Sequence, residues 1–135
     1  MEPISASLTY DRMDYLKAIL ETLPDAVAVF DANERLIEIN PAGLAMTGVG
    51  SLEELVGRSL FQMISQQSLP AFRARFNAVS QGNGHDSGPV RIEATGYDGR
   101  RRILECRMAR LNTPGEPAGG VIVVTRDIGE SEGNS

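Results

Sequence analysis

The sequence contains a single cysteine and a single histidine, and that scarcity sets the first limits on its chemistry. Cys106 has no partner for an internal disulfide, which fits a reducing, cytoplasmic setting. A hydrolase or transferase needs a placed acid, base or nucleophile with a partner in hydrogen-bond reach. His85 falls in a run of glycines, and Cys106 alternates between Leu104 and Met108 as a small core hydrophobe would, so no catalytic dyad is expected. No spacing of His, Cys and carboxylates suits a metal ion. Gly48-Val49-Gly50 leads into Ser51 without the lysine of a phosphate-binding loop. No apolar run approaches the ~20 residues that span a bilayer, and Met1-Glu2-Pro3 lacks the basic start of a secretory signal. The net charge of −5 argues against general nucleic-acid binding. Every basic residue except Lys17 is arginine, and Arg100-Arg101-Arg102 with Arg107 and Arg110 is the local exception to the acidic balance. It reads as a solvated hairpin face, with an anionic partner as the alternative.

A chain of 135 residues that is 41% hydrophobic suits one domain, and a domain of that size buries roughly two-thirds of its unfolded surface. Residues 1 to 9 read as a loose start. From Tyr10 to Thr22 the residues Met13, Leu16, Ile19, Leu20 and Leu23 recur at three and four, the stripe of a helix that stops before Pro24. That stripe can pack on the domain's own sheet, or pair with a second subunit, or do both. Ala26 to Phe30 and Leu36-Ile37-Glu38-Ile39 are β-prone runs joined by Asp31-Ala32-Asn33-Glu34, a hairpin. Asn40-Pro41 closes it and starts a short helix that Gly48 ends. Ser51-Leu52-Glu53-Glu54 has the form of a capping box and predicts a second short helix ending at Gly57. A longer helix begins at Ser68 and Pro70, with Leu69, Phe72, Phe76 and Val79 on one face. The stretch 81 to 89 is built of turn formers and is expected to be mobile. Val90 to Thr95 and the return strand through Leu104, Cys106 and Met108 alternate apolar with polar. Gly120 to Val124 is apolar on both faces, which predicts a central strand covered from both sides and flanked by Ala26 to Phe30. The order 2-1-5-4-3 follows. Residues 129 to 135 read as a fraying polar tail.

Leu23-Pro24-Asp25-Ala26, the hairpin ending in Ile39-Asn40-Pro41-Ala42, Glu53-Glu54-Leu55-Val56-Gly57-Arg58 and Arg126-Asp127-Ile128 occur in an order and at spacings that together resemble a PAS domain of a bacterial sensory protein. The resemblance runs from about Tyr15 to Glu130. It divides the chain into an N-terminal segment with the start of a flanking helix (1–14), the PAS domain (15–130) and a polar tail (131–135). It implies an α+β fold: a five-stranded antiparallel sheet, helices on one face, and a pocket between them that senses a ligand for an attached effector. Family members that form a flavin photoadduct carry a reactive cysteine after the first hairpin, and Pro41 to Met63 has none. Haem-binding members use a histidine, often on the long helix, whereas His85 lies past the expected helix end. Non-covalent flavin or a small metabolite is left open, and no resident cofactor is expected.

The expected cavity is lined by Phe61, Met63, Phe72, Phe76, Ile92, Leu104, Cys106, Met108 and Val123. The same residues can equally fill the core, the commoner use of an apolar stripe. Asp31 and Asn40 are expected to hold the hairpin and the next helix in place. Asp127 sits where the resemblance puts the signal exit at the end of the fifth strand. It is expected to meet a donor on a neighbouring element, with Gly129 standing where the family has Thr. The leading reading is a non-enzymatic sensory module that dimerises through its first helix, in front of a histidine kinase, diguanylate cyclase or transcription regulator. The alternatives are a metabolite-binding domain with an apolar ligand and, from another class, a small enzyme of unknown reaction.

Overall fold

A strand needs partners for the backbone groups on both of its edges, and Gly120 to Val124 has them. The computed structural model describes residues 11–55, 59–82, 88–112, 115 and 118–130. Its sheet comprises β1 (Ala26–Phe30), β2 (Leu36–Ile39), β3 (Val90–Thr95), β4 (Arg101–Leu111) and β5 (Gly120–Glu130), all antiparallel and in the order β2-β1-β5-β4-β3. Val123 lies between Ala28 and Met108 in the register, so the inward residues of the three central strands form one row. On this inner face the side chains of Phe61, Phe72, Phe76 and Val79 close over Ile92, Leu104, Cys106, Met108 and Val121, the core of the molecule. The outer face differs from expectation. Ile122 and Val124 stay half-buried, because the other helices gather on the inner side and strand pairing shields a strand's edges, not its face.

Helix α1 (Arg12–Thr22) is capped by Asp11, whose Oδ1 accepts from the Asp14 N–H at 2.8 Å. None of its residues is buried. Met13 is 64% exposed, and Leu16, Ile19 and Leu23 are exposed with it. The stripe therefore does not pack on the domain's own sheet. Helix α2 (Pro41–Thr47) ends at Gly48 in the left-handed conformation, as its sequence requires. The capping box does not form. Leu52–Glu54 is a single 3-10 turn, and the Ser51 hydroxyl meets the Glu54 carboxylate at 3.4 Å where a cap would take a backbone N–H. Burial of Leu55 draws the chain into the core directly after that turn. The expected end at Gly57 lies outside the described residues. A second 3-10 turn, Leu60–Met63, delivers Phe61 to the core. Helix α3 (Leu69–Ser80) starts beside Ser68, but the Ser68 hydroxyl accepts from the Glu93 N–H at 3.0 Å and so ties the helix start to β3. Residues 83 to 87, with His85, lie outside the described residues, as do those beyond Glu130.

Asn40 is almost fully buried and all of its amide is used. Oδ1 accepts from the N–H groups of Val27 and Gly43, both at 2.9 Å. Nδ2 donates to the carbonyls of Leu20 at 3.1 Å and Asp25 at 3.0 Å. One side chain thus joins α1, the lead into β1 and the start of α2. Asp31 does similar work in the hairpin, its Oδ1 accepting from Asn33 and Arg35 N–H. Asn40→Ala should cost on the order of 3 kcal/mol, a lost cap of about 1 plus buried groups left unpaired at about 1–3. Urea denaturation would measure it. A loss under about 1 kcal/mol, the level of an ordinary cap, would contradict the pivot.

Cys106 is 1% exposed, and burial is the main cause pushing its thiol from an ordinary 9.0 up to about 11. The Thr125 hydroxyl, donating to Sγ at 3.5 Å, opposes this and Glu105 adds to it. The folded state holds this proton more tightly than the unfolded chain. Its contribution to stability is therefore whole below pH 9 and is lost as pH climbs through about 11. Denaturation between those limits should show the fall, and Cys106→Ala should flatten it. Equal slopes in both proteins would place the thiol in water.

Candidate ligand cavity and its buried arginine

A cavity of about 90 Å³ lies between α2, α3 and the inner face of the sheet. Of the residues expected there, Phe61, Met63, Phe72, Ile92, Leu104, Cys106 and Val123 are on its wall. Phe76 and Met108 are not; they are buried in the packing behind it. Ala26, Ala28, Phe30, Ile39, Met46, Leu60, Ile64 and Ala94 complete the apolar lining. Phe61 is the hinge of the aromatic side, with Phe72 and Phe76 edge-on at 5.0 Å and Phe30 at 5.7 Å. Edge-to-face rings at these distances add about 0.5–1.5 kcal/mol per pair beyond their buried area.

The wall carries one charge that the sequence reading missed. Arg102 is only 6% exposed, and its guanidinium contacts three separate segments. Nη1 donates to the Met46 carbonyl at 3.1 Å, Nη2 pairs with Asp98 Oδ2 at 3.3 Å, and Nε pairs with Asp127 Oδ2 at 3.5 Å. Two glycines make room for it. A Cβ on Gly96 would stand 3.1 Å from Nη1, and one on Gly48 would stand 2.7 Å from the Asp98 backbone nitrogen. The Tyr97 N–H donates to the Thr47 carbonyl at 2.8 Å, so the end of α2 sits directly on the β3–β4 turn. The Asp98 carboxyl lies below the usual carboxylate range, chiefly because the Arg100 N–H bonds to it and further because Arg102 is near.

The basic cluster thus does not share one solvated face. Strand alternation sends Arg101 outward, where it meets Glu93 at 3.6 Å, and Arg102 inward. Arg110 is half-buried, with Nε donating to the Ser80 carbonyl at 2.9 Å. The signal for this was present: Arg102 and Arg110 continue the inward register of Leu104, Cys106 and Met108 at steps of two. Asp127 likewise is not at a strand end. The strand runs on to Glu130, with Leu104 opposite Asp127 and Ile103 opposite Gly129, which leaves Ile128 as the extra residue of a bulge. Asp127 Oδ1 accepts from the Gly129 N–H at 3.0 Å, so the position keeps a backbone bond where the family has a Thr side chain.

A second feature was invisible in sequence. Glu34 has φ 70°, and its carboxylate takes a forked pair from Arg73, 2.7 Å to Nε and 2.8 Å to Nη2. The Arg73 guanidinium lies 5.5 Å from the centre of the Phe61 ring. That pairing, with its hydrogen bond foremost, raises the Arg73 pKa. Among the described residues no group of His, Cys, Asp and Glu could hold a metal ion, and no helix is long and apolar enough to cross a membrane.

A family profile described as the PAS fold matches residues 20–133. Among solved structures, the PAS domain of an HTR-like protein from Haloarcula marismortui is 22% identical, with a TM-score of 0.64 over 86% of this chain and 96% of that one. A PAS domain from Colwellia psychrerythraea is 18% identical with a TM-score of 0.73, covering 88% of this chain and 98% of that one. The LOV domain of a blue-light activated histidine kinase from Erythrobacter litoralis is 21% identical with a TM-score of 0.63, covering 80% and 99%. No curated protein matches the chain. The profile spans the hairpin, the α2–α3 wall, the cavity and the bulged β5 alike, and the chain belongs to the PAS-fold family.

Proposed function

We propose that the chain is a non-enzymatic, cytoplasmic sensory and dimerisation module that takes a signal at the cavity and relays it through β5 to an attached effector, such as a histidine kinase, diguanylate cyclase or transcription regulator. One observation carries this reading. Arg102 is at once part of the cavity wall and the ion-pair partner of Asp127, so a change inside reaches the exit strand through a single residue. Neighbours of similar fold add support, since one is a PAS domain from a two-component sensor histidine kinase. With the chain in place of the sensor domain of a histidine kinase, Asp127→Ala should shift the ratio of basal to stimulated output by about fivefold or more, the usual scale of coupling between sites. Output identical to the parent chimera would reduce Asp127 to a bulge residue.

The cavity supports a metabolite as the signal. At about 90 Å³ it falls well below the ~300–1,000 Å³ of sites for drug-sized ligands, so a flavin does not fit it as it stands. Among the described residues that line it there is no histidine.

The dimer reading draws on α1. Met13, Leu16 and Ile19 form an exposed apolar stripe, and the half-buried Val29, Ile122 and Val124 give the sheet a second open apolar face. A second copy of the chain would cover both. The double variant L16E/I19E should halve the mass seen by light scattering while the domain stays folded, because neither side chain is buried within it. A dimer that survives the change removes α1 from the interface.

A further inference from the structure

We propose that the cavity is a site for a short-chain aliphatic carboxylate, which seats its charged end on Arg102 in place of Asp127 and its apolar chain against Phe72, Ile92 and Leu104. The inference rests on the reading of the cavity as the sensing site and names the chemistry of what enters it.

The guanidinium is the starting point. Arginine has five N–H donors in a planar fork, and the contacts of Arg102 are single ones at 3.1, 3.3 and 3.5 Å, none of them forked. Arg73 in the same molecule shows what a matched fork looks like, with both Glu34 oxygens at 2.7 and 2.8 Å. A nearly buried cation with long, single contacts is under-matched, and a carboxylate presenting both oxygens from the cavity side offers the better geometry.

The present partners can give way. The Asp98 and Asp127 side chains are 31% and 40% exposed, so each can turn to water. Each also keeps a backbone bond that does not involve Arg102, Asp98 to the Arg100 N–H and Asp127 to the Gly129 N–H. Asp127, at 3.5 Å, holds the longer of the two pairs.

Size and lining fix the rest of the ligand. A volume of about 90 Å³ equals that of about three liquid waters, and an apolar cavity of about 150 Å³ is one that takes benzene. A chain of three or four carbons fits; a ring with a head group does not. So small an apolar body gains little from burial alone, and most of the affinity has to come from the charged end. Displacement of Asp127 breaks the ion pair that ties β5 to Arg102, which makes occupancy legible at that strand.

The test uses the 135-residue chain with butyrate and its neutral isostere butyramide. Two-dimensional NMR would follow the Met46 and Met63 methyls on the wall, the Arg102 Nε–H and the Gly129 amide. Butyrate should move all four saturably, and butyramide should bind about tenfold more weakly. Arg102→Gln should lose butyrate selectively. Asp127→Asn, which removes the competing charge, should tighten butyrate while leaving butyramide unchanged, a gain that mere structural damage would not produce. Equal binding of the two compounds, insensitive to Asp127→Asn, would make the cavity a neutral apolar site: the sensory reading would stand and the carboxylate would fall. Wall methyls that shift while Gly129 does not would refute the displacement of Asp127. Absence of binding by either compound at tens of millimolar would overturn both the ligand and the cavity as its site.

Discussion

A guanidinium withdrawn from water has to be met by acceptors, and the arrangement of α2, the β3–β4 turn and β5 follows from how Arg102 is met. Removing one partner of a buried charge costs about 3–5 kcal/mol, far more than the pair itself contributes. The acceptors come from three different segments, so the charge converts a local need into a constraint on tertiary structure. The Met46 carbonyl belongs to the last turn of α2, where unpaired carbonyls carry partial negative charge and favour a cation. Gly96 and Gly48 are the steric counterpart, since both lack the Cβ that would hold these segments apart.

Strand order was the most legible property of the chain. Gly120 to Val124 could only be central, and the register of β1, β5 and β4 follows from matching inward rows. Helix stripes were legible as stripes but not by partner: α1 has the period of a packed helix, yet none of its residues is buried, and Met13, Leu16 and Ile19 are exposed. Capping chemistry misled at Ser51 because the box specifies a start without guaranteeing the turns after it, and Leu55 gained more from the core than a second turn would have returned. The arginine cluster misled because contiguity in sequence was weighed above alternation, although alternation governs strands.

The cavity shows a different limit. Its lining is indistinguishable in pattern from a filled core, and both uses coexist: Phe76 and Met108 pack solidly while their neighbours stop short of one another. A void arises where rotamers fail to close a gap, which depends on angles between elements that composition does not encode.

Glu34 keeps its backbone in a conformation that costs a residue other than glycine about 1–2 kcal/mol, and the forked bond that Arg73 makes to it spans 39 positions of sequence. A tight turn would ordinarily fray on its own, as the cheapest part of a hairpin to open. Here the turn cannot relax without releasing Arg73 from Glu34 and uncovering one side of the Phe61 ring. Opening the hairpin tip therefore also takes an ion pair and a ring contact away from α3.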